Sequence, residues 1–147
     1  MRAIICAGGT GGHIYPALAI LNKIKEMEPD SEFLYIGTTD RMEATIIPEK
    51  KIPFVGIEMK GLDRKHILKN IKVLGCFQKA IQKAKEEIRK FDPDVVLGIG
   101  GYITAPVIYA AAKLGYKTFI HEQNSIPGVS NRFLSHYATK IGVSLPG

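Results

Sequence analysis

Tryptophan is absent from this chain, and cysteine occurs only twice, as Cys6 and Cys76. Two isolated thiols supply neither a disulfide framework nor the ligand spacing of a zinc site, and this usage fits a reducing cytosol. No apolar run approaches the roughly 20 residues that a membrane-spanning helix needs. An apolar strand pattern begins almost at the first residue, so no secretory leader is expected. Internal repeats, low-complexity tracts and linker-like stretches are also missing, which leaves 147 residues with an apolar share of 46%, enough for one domain with its own core.

Acids are the scarcer charge, 14 against 20 lysines and arginines, for a net charge of +6. The imbalance is local. Between Lys60 and Lys90 there are ten lysines and arginines and only three acids, Asp63, Glu86 and Glu87, so the remainder is close to neutral. The basicity therefore describes one surface. No nucleic-acid motif and no aromatic interleaving accompany it, so nucleic acid is not an expected partner.

Short apolar runs alternate with helical patterns. Strands are expected at 3–7, 32–36, 53–57, 94–99, 117–120 and 140–143, and helices at 16–27, 40–47, 66–90, 104–114 and 129–137. Such alternation implies right-handed crossovers and an α/β fold: a Rossmann-like, mostly parallel sheet with helices on both faces. Val95-Val96-Leu97 reads as a central strand buried on both faces, and Leu114-Gly115 as a helix stop.

The most informative stretch is Gly8-Gly9-Thr10-Gly11-Gly12-His13-Ile14-Tyr15-Pro16, which follows the apolar run Ile4–Ala7. It reads as strand, glycine turn and helix start, with Pro16 opening the helix. Glycines allow positive φ and close approach of the backbone to a ligand, and the first helical N–H groups are free for an anion such as a diphosphate. The loop is neither the dinucleotide fingerprint, which would need glycine where Ile14 stands, nor a P-loop, since no Gly-Lys-Ser/Thr follows. A histidine at the mouth of a helix N-terminus is favoured as neutral imidazole and is the preferred general base, although it could equally bind phosphate.

Two further strand exits carry polar chemistry: Gly100-Gly101-Tyr102 and His121-Glu122-Gln123-Asn124. In parallel α/β sheets ligands collect at the carboxyl ends of strands, so these exits and the first loop are expected to converge on one site. Tight turns are the plain structural alternative for both. Asp92-Pro93-Asp94 could be mistaken for a metal-binding acid pair, but it precedes a strand at the opposite end and reads as a turn. Asp40, Arg41 and Glu43 are explained by helix capping and ion pairing. His66 and His136 read as surface or packing residues.

Taken together, GGTGGHIYPALAI (8–20), GTTDRMEATIIP (37–48), DVVLGIGGYITAP (94–106) and HEQNSIPGVSNRFLSHYATKI (121–141) resemble the N-terminal half of the MurG family of peptidoglycan N-acetylglucosaminyltransferases; residues 49–90 match weakly. The resemblance implies a GT-B enzyme of two Rossmann-like halves that transfers N-acetylglucosamine, with inversion, from UDP-N-acetylglucosamine to lipid I to give lipid II. It implies that residues 1–147 form the acceptor-binding and membrane-associating half, with the donor-binding C-terminal domain absent, peripheral on the cytoplasmic face of the bacterial plasma membrane. On the same grounds Thr10, Gly11, Gly12 and Asn124 contact the donor, and Gly100, Gly101 and Tyr102 face the acceptor diphosphate. His121 and Glu122 stand behind His13 as second catalytic candidates. No cofactor and no catalytic metal are implied. A stand-alone module that recruits a separate catalytic subunit is the alternative.

In the basic segment, Val73, Phe77, Ala80, Ile81, Ala84 and Ile88 share one helical face and read as core. Ile67, Leu68, Ile71 and Leu74 rotate away from it among Arg64, Lys65, Lys69 and Lys72. An apolar cluster ringed by cations fits contact with an anionic membrane surface, and the family's membrane-facing patch lies in this region. A solvated helix with a second packing partner would give the same pattern.

Overall fold

A computed structural model describes residues 1–8, 11–59, 71–122 and 140–143; the side chains of 71–74, 122 and 140–143 lie outside that description. The strands are β1 (Arg2–Ala7), β2 (Glu32–Thr38), β3 (Phe54–Ile57), β4 (Val95–Gly100), β5 (Thr118–Glu122) and β6 (Lys140–Val143). The helices are α1 (Gly11–Met27), α2 (Glu43–Glu49), α3 (Ile71–Phe91) and α4 (Thr104–Lys113). All six strands lie in one sheet of order β3-β2-β1-β4-β5-β6, and every neighbouring pair is parallel. The chain thus runs outward from β1 to one edge, returns to β4 beside β1, and continues to the other edge. β1 and β4 flank the point where the order reverses, and the carboxyl ends of such strands open a crevice between diverging connections.

Strand side chains alternate between the two faces. Ile4, Cys6, Leu34, Ile36, Val96 and Ile120 pack with Ala80, Ala84 and Ile88 of α3 and with Val107, Ile108 and Ala111 of α4. Ile5, Ala7, Tyr35, Leu97 and Ile99 face Ile14, Ala17, Leu18 and Leu21 of α1 and Ile47 of α2. β1 is buried along nearly its whole length because helices cover it on both sides. Of the core stripe expected on α3, Ala80, Ala84 and Ile88 are buried and Ile81 packs against them, Phe77 is half-buried, and the side chain of Val73 lies outside the description.

The helix stop at Gly115 follows from backbone chemistry. Gly115 has φ 87°, its N–H donates to the Ala112 carbonyl, and the Tyr116 N–H reaches back to Ala111. These two bonds satisfy the Ala111 and Ala112 carbonyls in the last turn of α4. Asp92 and Asp94 lie at the amino end of the sheet. Tyr116 Oη donates to Asp92 Oδ1 (2.9 Å), and the Arg2 N–H donates to Asp94 Oδ2 (2.9 Å), so the two acids pin the turn into β4 to its surroundings.

One boundary differs from expectation. Pro16 does not open α1; the helix begins at Gly11 and Pro16 sits inside it. Proline there forgoes one N–H bond, to the Gly12 carbonyl, but α1 is long and its buried face of Ile14, Ala17, Leu18 and Leu21 outweighs that loss. Glycines 11 and 12 are therefore helical residues, and the first turn of α1 consists of Gly11, Gly12 and His13. α2 likewise spans 43–49 rather than 40–47. The helix expected at 129–137, and residues 66–70 of the basic helix, lie outside the described residues.

Candidate active site

The crevice is built from backbone. β1 ends at Ala7, and the Gly8 N–H donates to the Gly100 carbonyl at the end of β4 (3.1 Å). Gly100 and Gly101 have φ 144° and 94°, in the region that L side chains rarely adopt. Added methyl groups would have no room: at Gly100 one would overlap the His13 ring, and at Gly101 one would overlap the Gly8 backbone. The first two glycine loops are therefore in contact, with His13 laid across the second. Thr104, at the start of α4, closes the second loop by donating from Oγ1 to the Gly101 carbonyl (2.6 Å).

His13 is half-buried, in the first turn of α1, with its Nδ1 edge turned inward toward Gly100. Tyr102, in the turn after Gly101, is 49% exposed. His121 and Glu122 are not a loop beyond β5 but its last two residues. Because Ile120 pairs with Gly98, they continue level with Ile99 and Gly100 on the adjacent strand. His121 is half-buried, with Nδ1 inside. The structure thus brings Gly11, Gly12, His13, Gly100, Gly101, Tyr102 and the backbone of His121 and Glu122 to one sheet edge. Thr10 and Asn124 lie outside the described residues, as do Arg64, Lys65, Ile67, Leu68 and Lys69. Ile71, Lys72 and Leu74 belong to the first turn of α3, and their side chains are not described.

Sequence reasoning passed over Glu43. It caps no helix through Asp40 or its neighbours, for the N-cap of α2 is Met42 and carries no side-chain bond. Glu43 is 0% exposed, and its Oε1 accepts from Thr38 N–H (2.9 Å) and Thr38 Oγ1 (2.6 Å). Its side chain crosses directly over the Cα atoms of Gly8 and Gly37. The missed signal was the pairing of glycines at the ends of β1 and β2 with an acid six residues beyond Gly37. Burial pushes the Cys6 thiol up, and the negative charge of Glu43 adds to that shift. Burial, then Cys6, then Glu43 raise the Tyr35 hydroxyl likewise, so both groups stay neutral beneath the loop.

A parallel sheet whose first two glycine loops meet at its reversal point, with a histidine on the first helix, is a Rossmann-like α/β domain of the GT-B glycosyltransferase type. The chain belongs to glycosyltransferase family 28, whose N-terminal domain it matches over residues 3–143. It is 53% identical over 97% of its length to the UDP-N-acetylglucosamine–N-acetylmuramyl-(pentapeptide) pyrophosphoryl-undecaprenol N-acetylglucosamine transferase 2 of Bacillus thuringiensis, and 50% identical to the corresponding transferase of Bacillus pumilus. In both cases it spans 39% of the relative's length. Among solved structures, Acinetobacter baumannii MurG superposes with a TM-score of 0.87 at 29% identity, over 99% of this chain and 42% of that one. The UDP-GlcNAc 2-epimerase of Methanocaldococcus jannaschii (TM-score 0.66, 16% identity, 96% and 38% coverage) shares the fold alone.

Proposed function

We propose that this domain forms the acceptor side of a glycosyltransferase that moves N-acetylglucosamine from UDP-N-acetylglucosamine to N-acetylmuramyl-(pentapeptide) pyrophosphoryl-undecaprenol, lipid I, giving lipid II. The observation that carries the reading is the contact of the two glycine loops beneath the His13 ring. In the reaction, an acceptor hydroxyl oxygen bonds to the anomeric carbon of the donor sugar from the face opposite the leaving group. The anomeric carbon–oxygen bond to the diphosphate breaks, UDP departs, and the configuration inverts. His13 takes the hydroxyl proton through Nε2. Gly11 and Gly12, with Thr10 and Asn124, contact the donor, and Gly100, Gly101 and Tyr102 face the acceptor diphosphate. His121 and Glu122 support this edge. None of these steps calls on a metal or cofactor.

The test is transfer of labelled N-acetylglucosamine to a lipid I analogue by this domain joined to a donor-binding domain of the kind found in its longer relatives. Turnover is expected from the joined protein and none from residues 1–147 alone, because a GT-B site lies between two halves. Robust turnover by the 147-residue chain would overturn this division of labour.

The basic stretch 64–74 supports peripheral attachment to the cytoplasmic face of the plasma membrane. No described helix is long and apolar enough to cross a membrane. Each lysine near an anionic surface contributes about 1 kcal/mol of attraction, falling within a Debye length. Replacing Lys65, Lys69 and Lys72 by Glu is expected to weaken binding to phosphatidylglycerol-containing vesicles, with the difference shrinking as salt rises. Unchanged co-sedimentation would remove the membrane role of the segment.

A further inference from the structure

We propose that Glu43 is a positioning residue of the transfer reaction, holding the first glycine loop in register with His13; the inference rests on the transferase reading above. Among the described residues Glu43 is the one acid that is fully buried. A carboxylate so placed is costly unless hydrogen-bonded. Both bonds from Thr38 fall on Oε1, the same oxygen that lies against Gly8. The side chain therefore joins the end of β2 to the point where the chain leaves β1.

From there the contacts run on without a gap. Gly8 is wedged between Glu43 and Ile103 Cγ2, its N–H holds the Gly100 carbonyl, and the face of Gly100 carries the His13 ring. The described partners of Glu43 are Thr38, Gly8 and Gly37, none of them a group that would react, and the placement of His13 relative to Gly100 depends on where Gly8 stands. Glycine at 8 and at 37 is required because a Cβ at either would occupy the space of this side chain. An apolar residue could fill the volume but could not hold the Thr38 N–H and hydroxyl. Glutamine could hold them, but it would set an NH₂ donor where the second oxygen stands and would remove the charge beneath the loop.

The experiment compares Glu43→Gln with Thr38→Val in the joined two-domain protein, following kcat, both KM values and thermal melting. A misplacement of about 1 Å can cost roughly 10²-fold in rate. Glu43→Gln is accordingly expected to lower kcat by about tenfold or more, with donor and acceptor KM within about threefold of wild type and melting nearly unchanged. Thr38→Val, which removes the hydroxyl bond and keeps the N–H bond, is expected to lower kcat in the same sense by a smaller factor. Wild-type kcat in both variants would overturn the proposal, as would losses of kcat that merely track losses of melting temperature. Should Glu43→Gln fail to fold, the kcat of Thr38→Val decides alone. A wild-type protein that transfers no sugar would instead overturn the transferase reading itself.

Discussion

Replacing His13 by Ala in the joined protein is expected to lower kcat by about 10²- to 10⁴-fold, the usual contribution of a positioned general base. The expectation rests on where the ring lies. It belongs to the first turn of α1, presses its Nδ1 edge toward Gly100 and remains half-exposed, so its removal takes little from the core. Melting should change slightly while turnover collapses. Both KM values should stay near wild type, because a base that acts on the developing charge contributes in the transition state and not in the ground state. A histidine that only bound phosphate would behave differently: KM would rise and kcat would persist. That second pattern, or wild-type turnover, removes His13 as the base. The acid limb of the kcat–pH profile should also vanish with the imidazole, since protonation of the base is what produces it.

Gly101→Ala should produce the largest loss of stability among single substitutions in the crevice. Gly101 has φ 94°, and a Cβ there would stand 3.0 Å from the Gly8 carbonyl carbon and 3.1 Å from the Gly8 nitrogen, with the carbonyl oxygen nearer still. The obstacle is backbone held by the Gly8–Gly100 hydrogen bond, so no side-chain rotation relieves it. Strained φ costs of order 1–3 kcal/mol, and the overlap adds a comparable amount. A loss of about 3 kcal/mol or more corresponds to a fall in melting temperature of roughly 6–12 °C for a domain of this size. The control is Gly75→Ala. Gly75 lies within α3 and, among the described residues, nothing stands within 4 Å of an added Cβ, so the same substitution there should stabilise by up to about 1 kcal/mol. Equal melting temperatures for the two variants would show that the loops do not approach as closely as described.

The glycine run, its histidine and the second glycine loop were legible because each combines a residue type with a place in the strand–helix alternation. Val95-Val96-Leu97 was legible as a buried strand for the same reason: a continuous apolar run suits a strand covered on both faces. Glu43 was not. In sequence it stands between Met42 and Ala44 near Asp40 and Arg41, where an exposed helix-start acid looks the same. Its burial arises only when β1 and β2 pair in parallel, bringing both Gly8 and Gly37 against its side chain. Pro16 misled for a related reason. Local propensity places proline at the first turn, but the apolar face of α1 continues back to Ile14, and packing carried the helix to Gly11.

What the sequence determined by itself was the class of fold and the residue types at its strand exits, because apolar periodicity, glycine and histidine act locally. What only the tertiary structure decided was which exits meet. The order β3-β2-β1-β4-β5-β6 sets β4 beside β1, and that neighbourhood makes Gly100 the floor under His13. The same order sets β2 on the other side of β1 and turns Glu43 from a surface acid into a buried support. Strand order is a long-range property, fixed by the packing of both faces together, and no short stretch of the chain encodes it.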